Sequence, residues 1–136
     1  MSTNCIFCKI ISDEVTSTKY FENDELLVFK DIKPASKVHV LAIPKKHIVN
    51  VNSLTKSDIP LINQLLENGK RIVEELGGDT EDMLMGFHKP PFNSISHLHL
   101  HLISPCKDMS LISRLMFCGW WFTSVDNVLT AIKSKL

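Results

Sequence analysis

Three features of this sequence predict an α+β fold, with an antiparallel sheet of about five strands, one long central helix and a C-terminal helix. Histidines and apolar residues alternate over His97–Ile103, which is the period of a strand. Apolar residues at 62, 65, 66, 72, 73 and 76 recur at helical spacing. Strand-like segments precede and follow that helix in groups, an order that favours an antiparallel sheet over alternating parallel crossovers.

Taken in order, residues 6–12 (IFCKIIS) suit a short helix with an apolar face. Residues 19–22 and 26–30 read as strands around a turn at Asn23-Asp24. Val38–Ile43 is a third strand, stopped by Pro44, and its apolar content predicts burial on both faces. The long helix is expected from about Thr55, where Thr55 and Asp58 have capping-box spacing and Pro60 sits in the tolerant first turn. Gly77-Gly78 supplies its stop. Residues 83–88 and 96–103 are strands joined through a stiff Lys89-Pro90-Pro91-Phe92 loop. The last helix is expected after Thr123, which has capping spacing to Asp126.

At 136 residues without repeats or linker-like runs, the chain is read as one domain, residues 1–136. Fifteen basic and fifteen acidic residues give zero formal charge, so no overall field would hold the chain on nucleic acid or anionic lipid. Met1-Ser2-Thr3-Asn4 starts no leader-like run, and no stretch approaches the roughly 20 apolar residues of a membrane span. The expected location is cytoplasmic, with the nucleus as an alternative. Of cysteines 5, 8, 106 and 118, only the first two are close, so Cys5-x-x-Cys8 reads as a possible metal clip in a reducing compartment.

On a strand, His97, His99 and His101 share one face at intervals of about 6.5 Å, while Leu98, Leu100 and Leu102 share the other. The leucine face suits a core and the histidine face a cleft. Three chemistries use such a face. Two imidazoles can bind one metal ion. One neutral imidazole can attack phosphorus while another binds phosphate oxygens. Or the face is simply a polar one on an edge strand, although Lys, Glu or Thr would serve that purpose more readily than three histidines in register.

His97–Ile103 (HLHLHLI) matches the His-φ-His-φ-His-φ-φ signature of the histidine triad superfamily. Residues 5–11 (CIFCKII), 29–34 (FKDIKP), 39–47 (HVLAIPKKH) and 94–97 (SISH) resemble, in order, segments of its nucleotide-binding branch. The likeness runs from about residue 5 to 136. Residues 86–94 (GFHKPPFNS) and 121–123 (WFT) look most like that branch's third animal paralogue, an adenosine 5′-monophosphoramidase.

The resemblance implies a histidine-triad fold and site roles. His99 would be the nucleophile attached to the nucleotide α-phosphate, His101 would bind its non-bridging oxygens, and His39 would support the cluster from the neighbouring strand. Ser94 would serve the leaving group. Asp31 would accept hydrogen bonds from ribose hydroxyls, and Phe7, Phe29, Ile32 and Leu41 would form an apolar slot for the purine, with core packing as their ordinary alternative. Cys5, Cys8, His47 and His97 resemble the structural zinc site of some superfamily members, a closed tetrahedral set with no open position. No organic cofactor is implied. The expected substrates are purine nucleoside monophosphate conjugates, and a homodimer through the long helix and a sheet edge is expected.

The sequence departs from the branch where a glycine-rich stretch usually precedes the triad. Here two prolines donate no amides, and His88 is added, either facing the site or exposed on its loop. Trp120 and Trp121 are expected to pack in the core, with a place near the active site or a dimer contact as the alternative. Hydrolysis of adenosine 5′-phosphoramidates is the expected activity. Deadenylation of 5′-adenylated nucleic acid, as in the aprataxin branch, would call for a basic surface and usually an added zinc finger. A nucleotide-binding module with little turnover is a third reading, opposed by the intact His99.

Overall fold

The computed structural model describes residues 4–135. Met1–Thr3, part of the segment read above as lacking a leader, and Leu136 lie outside the described residues. Six strands form one antiparallel sheet in the order β1-β2-β3-β5-β4-β6: β1 Lys19–Glu22, β2 Leu26–Lys30, β3 Val38–Pro44, β4 Leu84–His88, β5 Leu100–Ser104 and β6 Phe122–Ser124. The helices are α1 Ile6–Ile11, α2 Ile59–Glu75, α3 Leu111–Met116 and α4 Val125–Lys133. Among the described residues, no helix is long and apolar enough to cross a membrane.

Alternation divides the sheet into two faces. Leu26, Val28, Val38, Val40, Ala42, Leu98, Leu100 and Leu102 pack beneath α2 and α4. Full burial of Leu100 and of Leu102 contributes about 1.5–3 kcal/mol each. α2 buries Ile62, Leu65, Gly69, Ile72 and Val73, three to four residues apart. Gly69 lets this helix lie close on β5, because a Cβ there would sit 2.7 Å from a Leu102 methyl. The capping box at Thr55 and Asp58 forms, but it opens a 3-10 turn (Lys56–Asp58), so α2 itself starts at Ile59. Gly77 ends it at φ +83, with Gly77 N–H donating to the Glu74 carbonyl and Gly78 N–H to that of Val73, a Schellman closure.

The opposite face carries α1 at one end, over Leu27, Phe29, Leu41 and Ile43. At the other end lies the chain after β5, where Ile103, Met109, Phe117 and Phe122 pack together. Between these two clusters stand the histidines.

Four expectations need correction. The predicted strand 96–103 enters the ladder only at Leu100, because the preceding segment bends and bonds singly, Leu98 N–H to the Ile48 carbonyl at 2.6 Å. The side-chain alternation survives that bend. The sheet also has a sixth strand, β6, paired to Gly86–His88. Finally, Thr123 lies in β6 rather than capping the last helix, and Ser124 caps α4 by accepting from Asn127 N–H at 3.1 Å. Trp120 is 83% exposed instead of packed, whereas Trp121 is half-buried and donates its indole N–H to the Leu115 carbonyl at 2.8 Å.

Candidate active site

β3, β4 and β5 bring His39, His88 and His101 onto one sheet face, with His99 just ahead of β5. His97, His99 and His101 are all buried. Buried imidazoles need partners for both ring nitrogens, and here those partners fix the tautomers. Ala35 N–H donates to His39 Nδ1 at 2.9 Å, so His39 carries its proton on Nε2. That proton is directed to His101 Nδ1 at 2.9 Å, with the Asp31 carboxylate 3.3 Å away on the same side. His101 therefore presents an N–H at Nε2, and that buried nitrogen has no hydrogen-bond partner among the described residues. His99 donates from Nδ1 to the His97 carbonyl at 2.8 Å, which leaves its Nε2 with a lone pair.

Burial is the main cause of low basicity throughout this cluster. It pushes His39 down to about 4, against the opposing pull of the Asp31 charge, and it lowers His99 despite the His97 carbonyl. His101 lies well below its ordinary value through burial, then through mutual repulsion with His99, His39 and His88. At neutral pH the three rings are thus uncharged. A neutral His99 is a nucleophile, and a neutral His101 is a donor without a net charge.

The aromatic surroundings keep water away from these rings. Phe7 of α1 meets His99 edge-on, with centroids 5.0 Å apart, and Phe117 stands 5.1 Å from His101. Gly86, paired in register with His101, has to lack a side chain, since a Cβ would meet the Thr123 carbonyl oxygen and lie 2.7 Å from the Phe122 ring.

The expected nucleoside residues divide into two groups. Phe7, Phe29 and Leu41 come together as one buried cluster, with Leu41 in register with both Phe29 and His101. Ile32 is 88% exposed and lies apart from that cluster, on the rim of an open depression of about 480 Å³ that Asp31, Lys30 and Ser17 also line. Asp31 is half-buried; its Oδ1 accepts from Lys33 N–H at 2.8 Å and its Oδ2 faces His39. Ser94 is exposed on the loop before the triad and lines a hollow with Cys5 and His47, while its neighbours Asn93 and Ile95 line the cleft of His99.

A second cluster stands on the other side of Phe7, whose ring lies 5.8 Å from that of His97. Cys5 Sγ is 3.4 Å from His97 Nδ1, Cys8 Sγ is 3.4 Å from His47 Nδ1 and 3.7 Å from His97 Nδ1, and the two Nδ1 atoms are 3.1 Å apart. His97 Nε2–H donates to the Pro44 carbonyl at 2.8 Å, which turns the Nδ1 lone pair toward the thiols. The four groups can hold a metal ion. One strand segment thus feeds two clusters.

Neither His88 nor Phe117 was assigned to the site from sequence. His88 lies two residues beyond Gly86 on β4 and so shares its face; once Gly86 is known to pair with His101, the same period carries His88 to the cleft. Its ring is 5.0 Å from His101. Phe117 has no periodic context and gave no comparable signal.

Residues 4–117 match the family model described as scavenger mRNA decapping enzyme C-term binding. A solved structure described as a HIT family hydrolase from Clostridium thermocellum is similar with a TM-score of 0.71 at 35% identity, covering 76% of this chain and 92% of that one. The chain belongs to the histidine triad superfamily. Among similar histidine triad proteins, adenosine 5′-monophosphoramidase HINT3 of Mus musculus is 41% identical, over 96% of this chain and 82% of that protein. The protein of the same name in Xenopus tropicalis is 38% identical, over 97% and 89%.

Proposed function

We propose that this histidine triad protein hydrolyses the P–N bond of adenosine 5′-phosphoramidates through a nucleotidyl-histidine intermediate. The observation that carries this reading is the pair of imidazole nitrogens in one cleft with opposite character. His99 Nε2 offers a lone pair, and the unpartnered His101 Nε2 offers an N–H. The names of the mouse and frog relatives support the same substrate class.

In the first step His99 Nε2 attacks the α-phosphorus and the amine leaves. The His97 carbonyl accepts from Nδ1–H throughout and stabilises the imidazolium character that develops on the ring. His101 Nε2–H donates to a non-bridging oxygen where negative charge grows, and the dry aromatic walls strengthen that bond. Ala35 and His39 act through His101 by holding its tautomer. Water then attacks the phosphorus, releasing AMP and His99. On the nucleoside side, Asp31 keeps acceptor capacity for ribose hydroxyls, because each carboxylate oxygen accepts more than one bond. The purine lies against the Phe7, Phe29 and Leu41 side, with exposed Ile32 as outer wall.

We assign structural zinc to Cys5, Cys8, His47 and His97. A tetrahedron with Zn–S of about 2.3 Å and Zn–N of about 2.0 Å has edges of roughly 3.3–3.8 Å. The four edges given above run from 3.1 to 3.7 Å. The Pro44 carbonyl on His97 Nε2 is the outer partner that such a ligand requires. When bound, zinc supplies cross-linking of α1 to the start of the triad, which holds Phe7 against His99. It takes no part in the reaction. A homodimer, as in the nucleotide-binding branch, belongs to the same proposal.

A substrate panel tests the activity: adenylyl-amine, adenylyl-lysine, a dinucleoside polyphosphate and 5′-adenylated DNA. Release of AMP fastest from the two P–N compounds is expected, with no release by His99→Ala. Preference for adenylated DNA, or binding of all four without turnover, contradicts the reading.

A further inference from the structure

We propose that His88 is the acid–base catalyst on the leaving-group side of this cleft, an assignment that rests on the P–N hydrolysis reading. One nitrogen each of His88, His99 and His101 gather within 4.8 Å of one another, and two of the three already have tasks. His99 attacks and His101 binds a phosphate oxygen. Alkylamines leave phosphorus only when protonated, so a third group has to supply that proton. Ser94, expected there from sequence, is exposed and lines the hollow beside Cys5 and His47, whereas His88 lies within reach of both other histidines.

His88 is built for the task. Its Nε2–H donates to the Met116 carbonyl at 2.9 Å, which leaves Nδ1 as the exchanging nitrogen. A carbonyl accepts from Nε2–H whether or not Nδ1 is protonated, so the ring keeps its place through the cycle. Phe117 at 4.9 Å and Phe122 at 5.2 Å wall it on two sides, yet it is only half-buried, which gives it access to solvent protons. The titratable groups that interact with it are His99 and His101 and, further off, His39; Lys89 turns its ammonium away to the Gly119 carbonyl at 2.9 Å. A proton on His88 also disfavours protonation of His39, His99 and His101. A three-histidine metal site at this point is opposed by the tautomers, since His101 presents N–H and not a lone pair.

In the first step the His99 Nε2 lone pair forms the new N–P bond. The P–N bond to the amine breaks with its electron pair on the amine nitrogen, which takes the Nδ1 proton of His88. In the second step water oxygen bonds to phosphorus, its proton goes to His88 Nδ1, and the His99–phosphorus electron pair returns to His99. AMP and free amine are the products, and His88 is again protonated.

The test compares two AMP derivatives in a single turnover: an alkylamine phosphoramidate and the p-nitrophenyl ester, whose leaving group departs as an anion. His88→Gln and His88→Ala, checked for native unfolding midpoints, should slow amine release about a hundredfold or more. p-Nitrophenolate release should fall by no more than a few fold, and added imidazole should restore amine release to His88→Ala. Equal losses on both compounds, or no loss on the amine, overturn the assignment alone. Wild-type protein that releases neither group overturns the hydrolase reading together with it.

Discussion

Acidification from pH 7 to pH 5 is expected to destabilise this fold through His39, and His39→Gln should remove that part of the loss. His39 is 3% exposed and burial holds it at about 4, against an ordinary value of 6.5 in the unfolded chain. Between those values the unfolded chain binds the proton and the folded chain does not, so stability falls as the pH falls. Over pH 7 to 5 the loss from His39 alone comes to about 2 kcal/mol, and it is complete near pH 4 at about 3 kcal/mol. For a chain of this size, 2 kcal/mol lowers the melting temperature by roughly 6–10 °C. Gln at this position retains an N–H for His101 Nδ1 and cannot titrate. Thermal unfolding of both proteins across this range is the assay, with the difference in pH slope isolating His39 from the other buried histidines. Parallel curves would refute both the buried neutral state of His39 and the tautomer chain built on it.

Two further substitutions probe what surrounds the site. Cys8→Ser should reduce zinc in elemental analysis from about one ion per chain toward none and lower the melting temperature of metal-loaded protein; purified wild type that is already zinc-free contradicts the metal assignment. Gly86→Ala drives a Cβ into the Thr123 carbonyl and the Phe122 ring, so it should cost at least about 1–3 kcal/mol in denaturant unfolding. An unchanged midpoint would mean that β6 does not pack as described.

Most of the sheet and the long helix were legible because their signals are periodic. Val38–Ile43 is buried at every position, as its apolar content implied, and the strand runs on to Pro44. The triad's two faces were legible for the same reason, even though His97–His99 lie ahead of the ladder. β6 gave no signal, because three residues following two tryptophans contain no period to read. α3 was missed because Leu111, Ile112, Leu115 and Met116 remain exposed and their apolar pattern faces no core. The cluster of Cys5, Cys8, His47 and His97 could be assembled only by resemblance, since His97 stands 92 residues from Cys5 and no local pattern joins them. Ser94 and His88 were hard to place for a like reason: Ser94 lies on a loop, which has no period to read, and His88 reaches the cleft only through the pairing of Gly86 with His101.

The division of labour among the three histidines depends most on His99. Rapid quenching of the protein with an adenosine 5′-phosphoramidate, followed by intact-mass and peptide mass spectrometry, tests it directly. One AMP bound to the peptide bearing His99, absent in His99→Ala, is the predicted result. Full turnover without any adduct on that histidine, or an adduct that persists in His99→Ala, would contradict it.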